Sequence, residues 1–217
     1  MSDQFDLKSI ERRAFRSTFE DGLWDMYLGL VMAAMAVFMY RPARGYSPLN
    51  IILAVLLTIL AYNLYRAGKR YITLPRMGQV RFGPIRKRRK AVLAIVLGGL
   101  ILLQVGVLLL TVFGWLNPDV SKEINTTLIQ NDLMDMVVAS IGALFVGTGL
   151  SLVAFFNDVP RGYYNAFLVS LAAFLMVWLN QPVYPLFLAS LVAIPGLVLF
   201  VRFLRKYPLP NGQAAHG

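Results

Sequence analysis

Residues 91–115 read AVLAIVLGGLILLQVGVLLLTVFGW, with no charged side chain and one amide, Gln104, near the middle. A helix rises about 1.5 Å per residue, so this stretch is long enough to cross the ~30 Å hydrocarbon core of a bilayer. Inside hydrocarbon every backbone N–H and C=O must find its partner within the segment, which a helix achieves and an isolated strand does not. Five more apolar runs lie on either side, at residues 23–40, 49–65, 133–156, 163–179 and 183–204. The sequence therefore predicts an all-α polytopic membrane bundle of about six transmembrane helices. Trp24, Trp115 and Trp178 fall at span ends, where interfacial aromatic residues collect. Pro195 lies inside the last span and predicts a kink there.

Composition agrees. Of 217 residues, 58% are apolar and only 15% charged, against about a quarter charged in soluble domains. Little chain is left for a soluble domain. Residues 1–22 are expected to form a cytoplasmic amphipathic helix with Leu7, Ile10 and Ala14 opposite Arg12, Arg13 and Arg16, either in the headgroup plane or simply solvated. Residues 23–65 carry the first two spans, 66–90 a basic cytoplasmic loop, 91–204 the other four spans, and 205–217 a cytoplasmic tail. Residues 34–36 (AMA) resemble a signal-peptidase site, but apolar sequence continues past them, so the first span reads as an uncleaved anchor.

The net charge is +10. In a soluble protein this would suggest nucleic acid. Here the cations flank the spans instead, and no nucleic-acid partner is expected. With the N-terminus inside, 18 of the 21 Lys and Arg residues lie on the cytoplasmic side, and only Arg41, Arg44 and Lys122 lie outside. The positive-inside rule therefore places both termini in the cytoplasm, in a cytoplasmic membrane. Cysteine is absent and the single histidine, His216, lies in the tail. Disulfides, thiolate chemistry and the usual metal ligands of a membrane site are excluded, and no cofactor is expected.

The loop at 66–90 (RAGKRYITLPRMGQVRFGPIRKRRK) carries ten basic residues and no acid. Residues 71–74 and 79–82 are β-prone around a turn-forming 75–78, which predicts a short hairpin. Arg76, Arg81, Arg86, Lys87, Arg88, Arg89 and Lys90 are candidates for contact with anionic lipid head groups or a protein partner, at ~1 kcal/mol per cation near the surface. The same charges also serve as a topology anchor.

Acids inside spans are costly and are candidate functional sites. Asp25 and Asp135 each begin a small-residue ridge at i+4 spacing: Asp25, Gly29, Ala33, and Asp135, Ala139, Ala143, Gly147, Ser151. Residues at i and i+4 share a face, and small ridges let helices approach closely, so both acids are expected to face the bundle interior. They read either as headgroup-level structural acids or as an ion or proton site. Gln104, Asn63, Thr148 and Asn165 are expected to act as interhelical hydrogen-bonding groups. Residues 22–26 (GLWDM) and 132–136 (DLMDM), with 42–46 (PARGY) and 160–163 (PRGY), suggest a 3+3 inverted repeat of the kind that builds transporters.

Residues 11–25 (ERRAFRSTFEDGLWD) and 74–84 (LPRMGQVRFGP), followed by a basic cluster and by 207–210 (YPLP), resemble a family of uncharacterised prokaryotic multi-pass membrane proteins. The resemblance implies a bacterial or archaeal membrane and no particular chemistry. The chain lacks the constellations of metalloproteases, serine hydrolases and P-loop enzymes, and no catalysis is expected. Two readings stand: a non-catalytic scaffold or partner subunit with a lipid- or protein-binding basic loop, and a small transporter or channel with its site near Asp25 and Asp135.

Overall fold

The computed structural model describes residues 19–40, 48–77, 84–116 and 133–208, with only the backbone of residues 84–87, 108, 110–116 and 133–135. The elements are helices throughout: α1 (Leu23–Met39), α2 (Pro48–Ala67), a π-helical turn (Gly68–Thr73), α3 (Leu74–Met77), α4 (Pro84–Leu116), α5 (Leu133–Phe156), α6 (Arg161–Leu179) and α7 (Val183–Lys206). Five helical stretches are long and apolar enough to cross a membrane; α1, with 17 residues, is a shorter apolar helix.

Four ion pairs gather helix ends at one end of the bundle. Lys69 meets Asp21, Arg161 meets Asp25, Arg89 meets Asp158, and Lys206 meets Glu20. The starts of α1, α4 and α6 thus lie beside the ends of α2, α5 and α7, as in an up-and-down bundle. The opposite end of the α1–α2 pair is tied by Asn50, whose side-chain amide donates to the Tyr40 carbonyl.

The helices form two tight pairs, α1 with α7 and α5 with α6, joined through contacts of α6 with α1 and α7. Between them lies an apolar core of Leu28, Met32, Leu168, Val169, Ala172, Leu188, Ala189 and Val192. Glycine permits each close approach. A Cβ on Gly29 would stand 2.7 Å from that of Ala193, and one on Gly162 2.5 Å from that of Ala154. Lipid is as apolar as a helix side chain, so such backbone proximity and its dispersion contacts replace the hydrophobic effect as the source of adhesion. By contrast, α4 packs only lightly on α5, and Gly98, Gly99 and Gly106 meet no neighbouring atom.

Three expectations are corrected. Residues 71–74 form helix, not a hairpin strand, because α2 winds on into the π turn; residues 79–82 lie outside the described residues. Helix α7 runs unbroken through Pro195: the ring is exposed while neighbouring Gly196 is buried against α1, so packing holds the helix across the missing hydrogen bond. The inverted repeat is not supported. It would relate the close α1–α7 pair to α5–α4, which is loose, and Asn63 inside α2 to Asn180, which caps α6 with φ 50°. The N-terminal helix expected within residues 1–22 lies mostly outside the described residues.

Gly29→Leu should lower the unfolding midpoint of the detergent-purified protein by the ~1–3 kcal/mol typical of overpacking. Gly98→Leu should leave it nearly unchanged. Equal effects would contradict the α1–α7 contact.

Candidate functional site

The polar residues of the bundle concentrate where α1 begins. Gly22 takes a left-handed φ of 69°, and a methyl group there would collide with the Gly196 carbonyl. This turn lets Asp21 Oδ1 accept the Leu23 N–H at 3.2 Å, satisfying one of the free donors of the helix start. The other oxygen, Asp21 Oδ2, accepts from Lys69 Nζ and from Thr73 Oγ1, both at 2.7 Å. Asp21 has no solvent exposure, and 21% of the Lys69 side chain is exposed. The Lys69 ammonium also lies 5.3 Å from the Phe19 ring and 5.8 Å from that of Tyr65, close enough for cation–π attraction.

One turn further on, Asp25 is buried against α6. Asn165 Nδ2 donates to Asp25 Oδ1 at 2.5 Å, and Arg161 Nη1 lies 3.3 Å from Asp25 Oδ2. Arg161 Nη2 donates to the Phe19 carbonyl at 2.6 Å. Three i, i+4 pairs therefore interlock: Asp21 and Asp25 on the entry to α1, Lys69 and Thr73 on the π turn, Arg161 and Asn165 on α6. Each aspartate receives one cation and one neutral donor. A buried charge is tolerated only when paired and hydrogen-bonded, and both carboxylates meet that condition. Trp24, Tyr27 and Tyr65 pack beside the network with ring centroids 5.5–5.8 Å apart.

The ridges lie as follows. Gly29 is buried against α7, with Ala33 half-buried beside the core. On α5, Ala139 and Ala143 are buried, Gly147 abuts Ser170, and Ser151 is half-buried. Ser170 Oγ donates to the Ala143 carbonyl at 2.7 Å. Asp135 lies in the first turn of α5, and its side chain is outside the described residues. The two acids thus do not form a described common site. Asn165 makes an interhelical bond, but Asn63 donates to its own helix at Ile59, and Gln104 and Thr148 face outward.

In the basic loop, Arg76 turns back to donate to the Ile72 carbonyl at 3.3 Å. Arg88, Arg89 and Lys90 are exposed on the opening turns of α4, and Arg89 pairs with Asp158 at 3.4 Å. Arg86 and Lys87 share those turns, and Arg81 lies outside the described residues. Cations at a helix start oppose the macrodipole, so this run is not there to stabilise α4. Among the described residues no group of three or more His, Cys, Asp or Glu could hold a metal ion.

Asp21, Lys69, Thr73 and Arg161 were not singled out from the sequence as site residues. The available signal was the i+4 spacing of Asp21 and Asp25, repeated at 69/73 and 161/165. No protein-family model, curated protein or solved structure matches the chain.

Asp21→Ala should destabilise the protein by the ~3–5 kcal/mol that accompanies an unpaired buried partner. Thr73→Val should cost ~1 kcal/mol, as for one hydrogen bond. Reversible unfolding in mixed detergent micelles reads both. An unchanged midpoint for Asp21→Ala would contradict the network.

Proposed function

We propose that this chain is a non-catalytic protein of the cytoplasmic membrane, a dry bundle of six crossings that serves as a scaffold or partner subunit. The observation that carries this reading is that Asp21 and Asp25 are consumed by partners within the chain, while the interior beyond them is apolar. Leu28 and Met32 follow Asp25 along α1, facing Leu168, Val169, Ala172 and Val192. A cavity of about 180 Å³ beneath Trp24 and Tyr65 is walled by Leu28, Leu150, Val153, Ala154 and Gly162, with Asn157 as its one amide. Asn157 already donates to the Val153 carbonyl. Another, of about 310 Å³ between α1 and α2, is lined by Ala34, Met35, Phe38, Ala54, Val55, Ile59 and Met176, with Thr58 donating to its own helix. A transporter needs a water-accessible polar cavity beside its ionisable groups. These walls favour the scaffold reading instead.

Orientation rests on charge. The gathered helix ends carry the basic stretches, so the positive-inside rule puts them in the cytoplasm, with α1 as a sixth, short crossing. The cations of the 66–90 stretch hold this orientation and meet anionic head groups or a protein partner.

The cysteine-free chain suits single-cysteine labelling. Cysteines at Ala143 (8% exposed) and Leu144 (68% exposed) should both stay unlabelled by a membrane-impermeant maleimide. A cysteine at Arg88 should react in inside-out vesicles and not in intact cells. Labelling at Ala143 but not Leu144 would reject the dry bundle; labelling at Arg88 from outside would reject the orientation.

A further inference from the structure

A cleft of about 350 Å³ opens at the basic end, between the entry to α1, the α5–α6 turn and the last turns of α7. It is separate from the loop cations discussed above. Leu199, Arg202, Phe203 and Lys206 follow i, i+3, i+4, i+7 spacing, so α7 turns one mixed basic and apolar face toward it. Arg161 lies across the opening, and Val159 and Phe19 complete the apolar wall.

The cations here are not fully used. Arg161 spends two donors on Asp25 and Phe19, and 37% of its side chain remains exposed; a guanidinium has five N–H groups. Lys206 lies 4.0 Å from Glu20 and 5.2 Å from the Tyr207 ring centroid, leaving it largely exposed. Arg202 lines the cleft, is exposed, and has no acidic partner among the described residues. An anion is therefore needed to complete the charge balance. Cations on the last turns of α7 are themselves favoured by its dipole.

The apolar side of the cleft narrows the choice of anion. Above the cleft, toward the membrane middle, α7 exposes Ile194, Leu197, Val198 and Val201. A molecule with a phosphate at Arg202 and Lys206 would find a continuous apolar track for an acyl chain along this helix. A soluble anion would gain nothing from that track.

We propose that this cleft binds the phosphate of an anionic phospholipid, with Arg202 and Lys206 contacting the phosphate oxygens, a spare Arg161 N–H at the rim, and the acyl chains lying along α7. The inference does not depend on whether the bundle transports anything. Glu20 competes for Lys206 and sets the affinity.

Native mass spectrometry of the intact purified protein with phosphatidylglycerol, with phosphatidylcholine, and with inorganic phosphate alone tests this. One phosphatidylglycerol should be retained in preference to phosphatidylcholine. Arg202→Gln with Lys206→Gln should weaken that retention roughly 10- to 30-fold, from the loss of two surface cations. Both side chains are exposed, so the fold should survive. Glu20→Gln should strengthen retention, a gain that a misfolded variant would not give. Arg88→Gln with Lys90→Gln, at the same end but outside the cleft, should retain the preference. An equal loss in that control, or no loss in the cleft variant, would overturn the proposal. So would retention of inorganic phosphate without preference between the two lipids, which would make the site one for a soluble anion.

Discussion

The requirement that a buried carboxylate be fully paired governs this bundle. Two such groups sit one helical turn apart at the start of α1, and neither could be left bare at the edge of a hydrocarbon phase. Asp21 draws in the end of α2 through Lys69 and Thr73. Asp25 draws in α6 through Arg161 and Asn165. The entry to α1 thereby acts as a clasp between elements whose apolar faces alone, in lipid, would have no strong reason to choose each other.

The small residues do the complementary work. Gly22, Gly29 and Gly196 bring α1 and α7 to backbone contact just where the clasp begins, and Gly147 and Gly162 do so for α5 and α6. The electrostatic and steric features are interdependent. Gly22 sets the turn that aims Asp21, and Gly196 leaves room beside Asp25 Cβ. Aromatic residues around Trp24 then cover the clasp, lowering its contact with water and strengthening its hydrogen bonds.

The helices were legible because a hydrocarbon solvent imposes length and apolarity on any segment that crosses it. The inward side of α1 was legible too, since Asp25 and Gly29 recur at i+4. The clasp was not, because Asp21 lies outside the apolar run and its partners are 48 and 52 residues away, while Asn165 is 140 from Asp25. The hairpin expected at 71–74 failed for a physical reason that the clasp supplies. In a strand, residues 69 and 73 would be separated by about four rises of ~3.3 Å, too far to reach one oxygen. A helical winding brings them within one turn, and both meet Asp21 Oδ2 at 2.7 Å. Tertiary pairing thus overrides the β preference of tyrosine, isoleucine and threonine in that stretch.

The account makes Asp25 a structural group rather than an ion-carrying one, and the isosteric Asp25→Asn substitution separates these roles. The most direct measurement is a double-mutant cycle on reversible unfolding, using Asp25→Asn, Asn165→Leu and their combination. The account predicts that Asp25→Asn alone lowers stability and that the two changes are non-additive by about 1 kcal/mol or more, as for residues sharing one network. Unchanged stability in Asp25→Asn, with strictly additive effects, would contradict the clasp and return Asp25 to the role of a functional carboxylate.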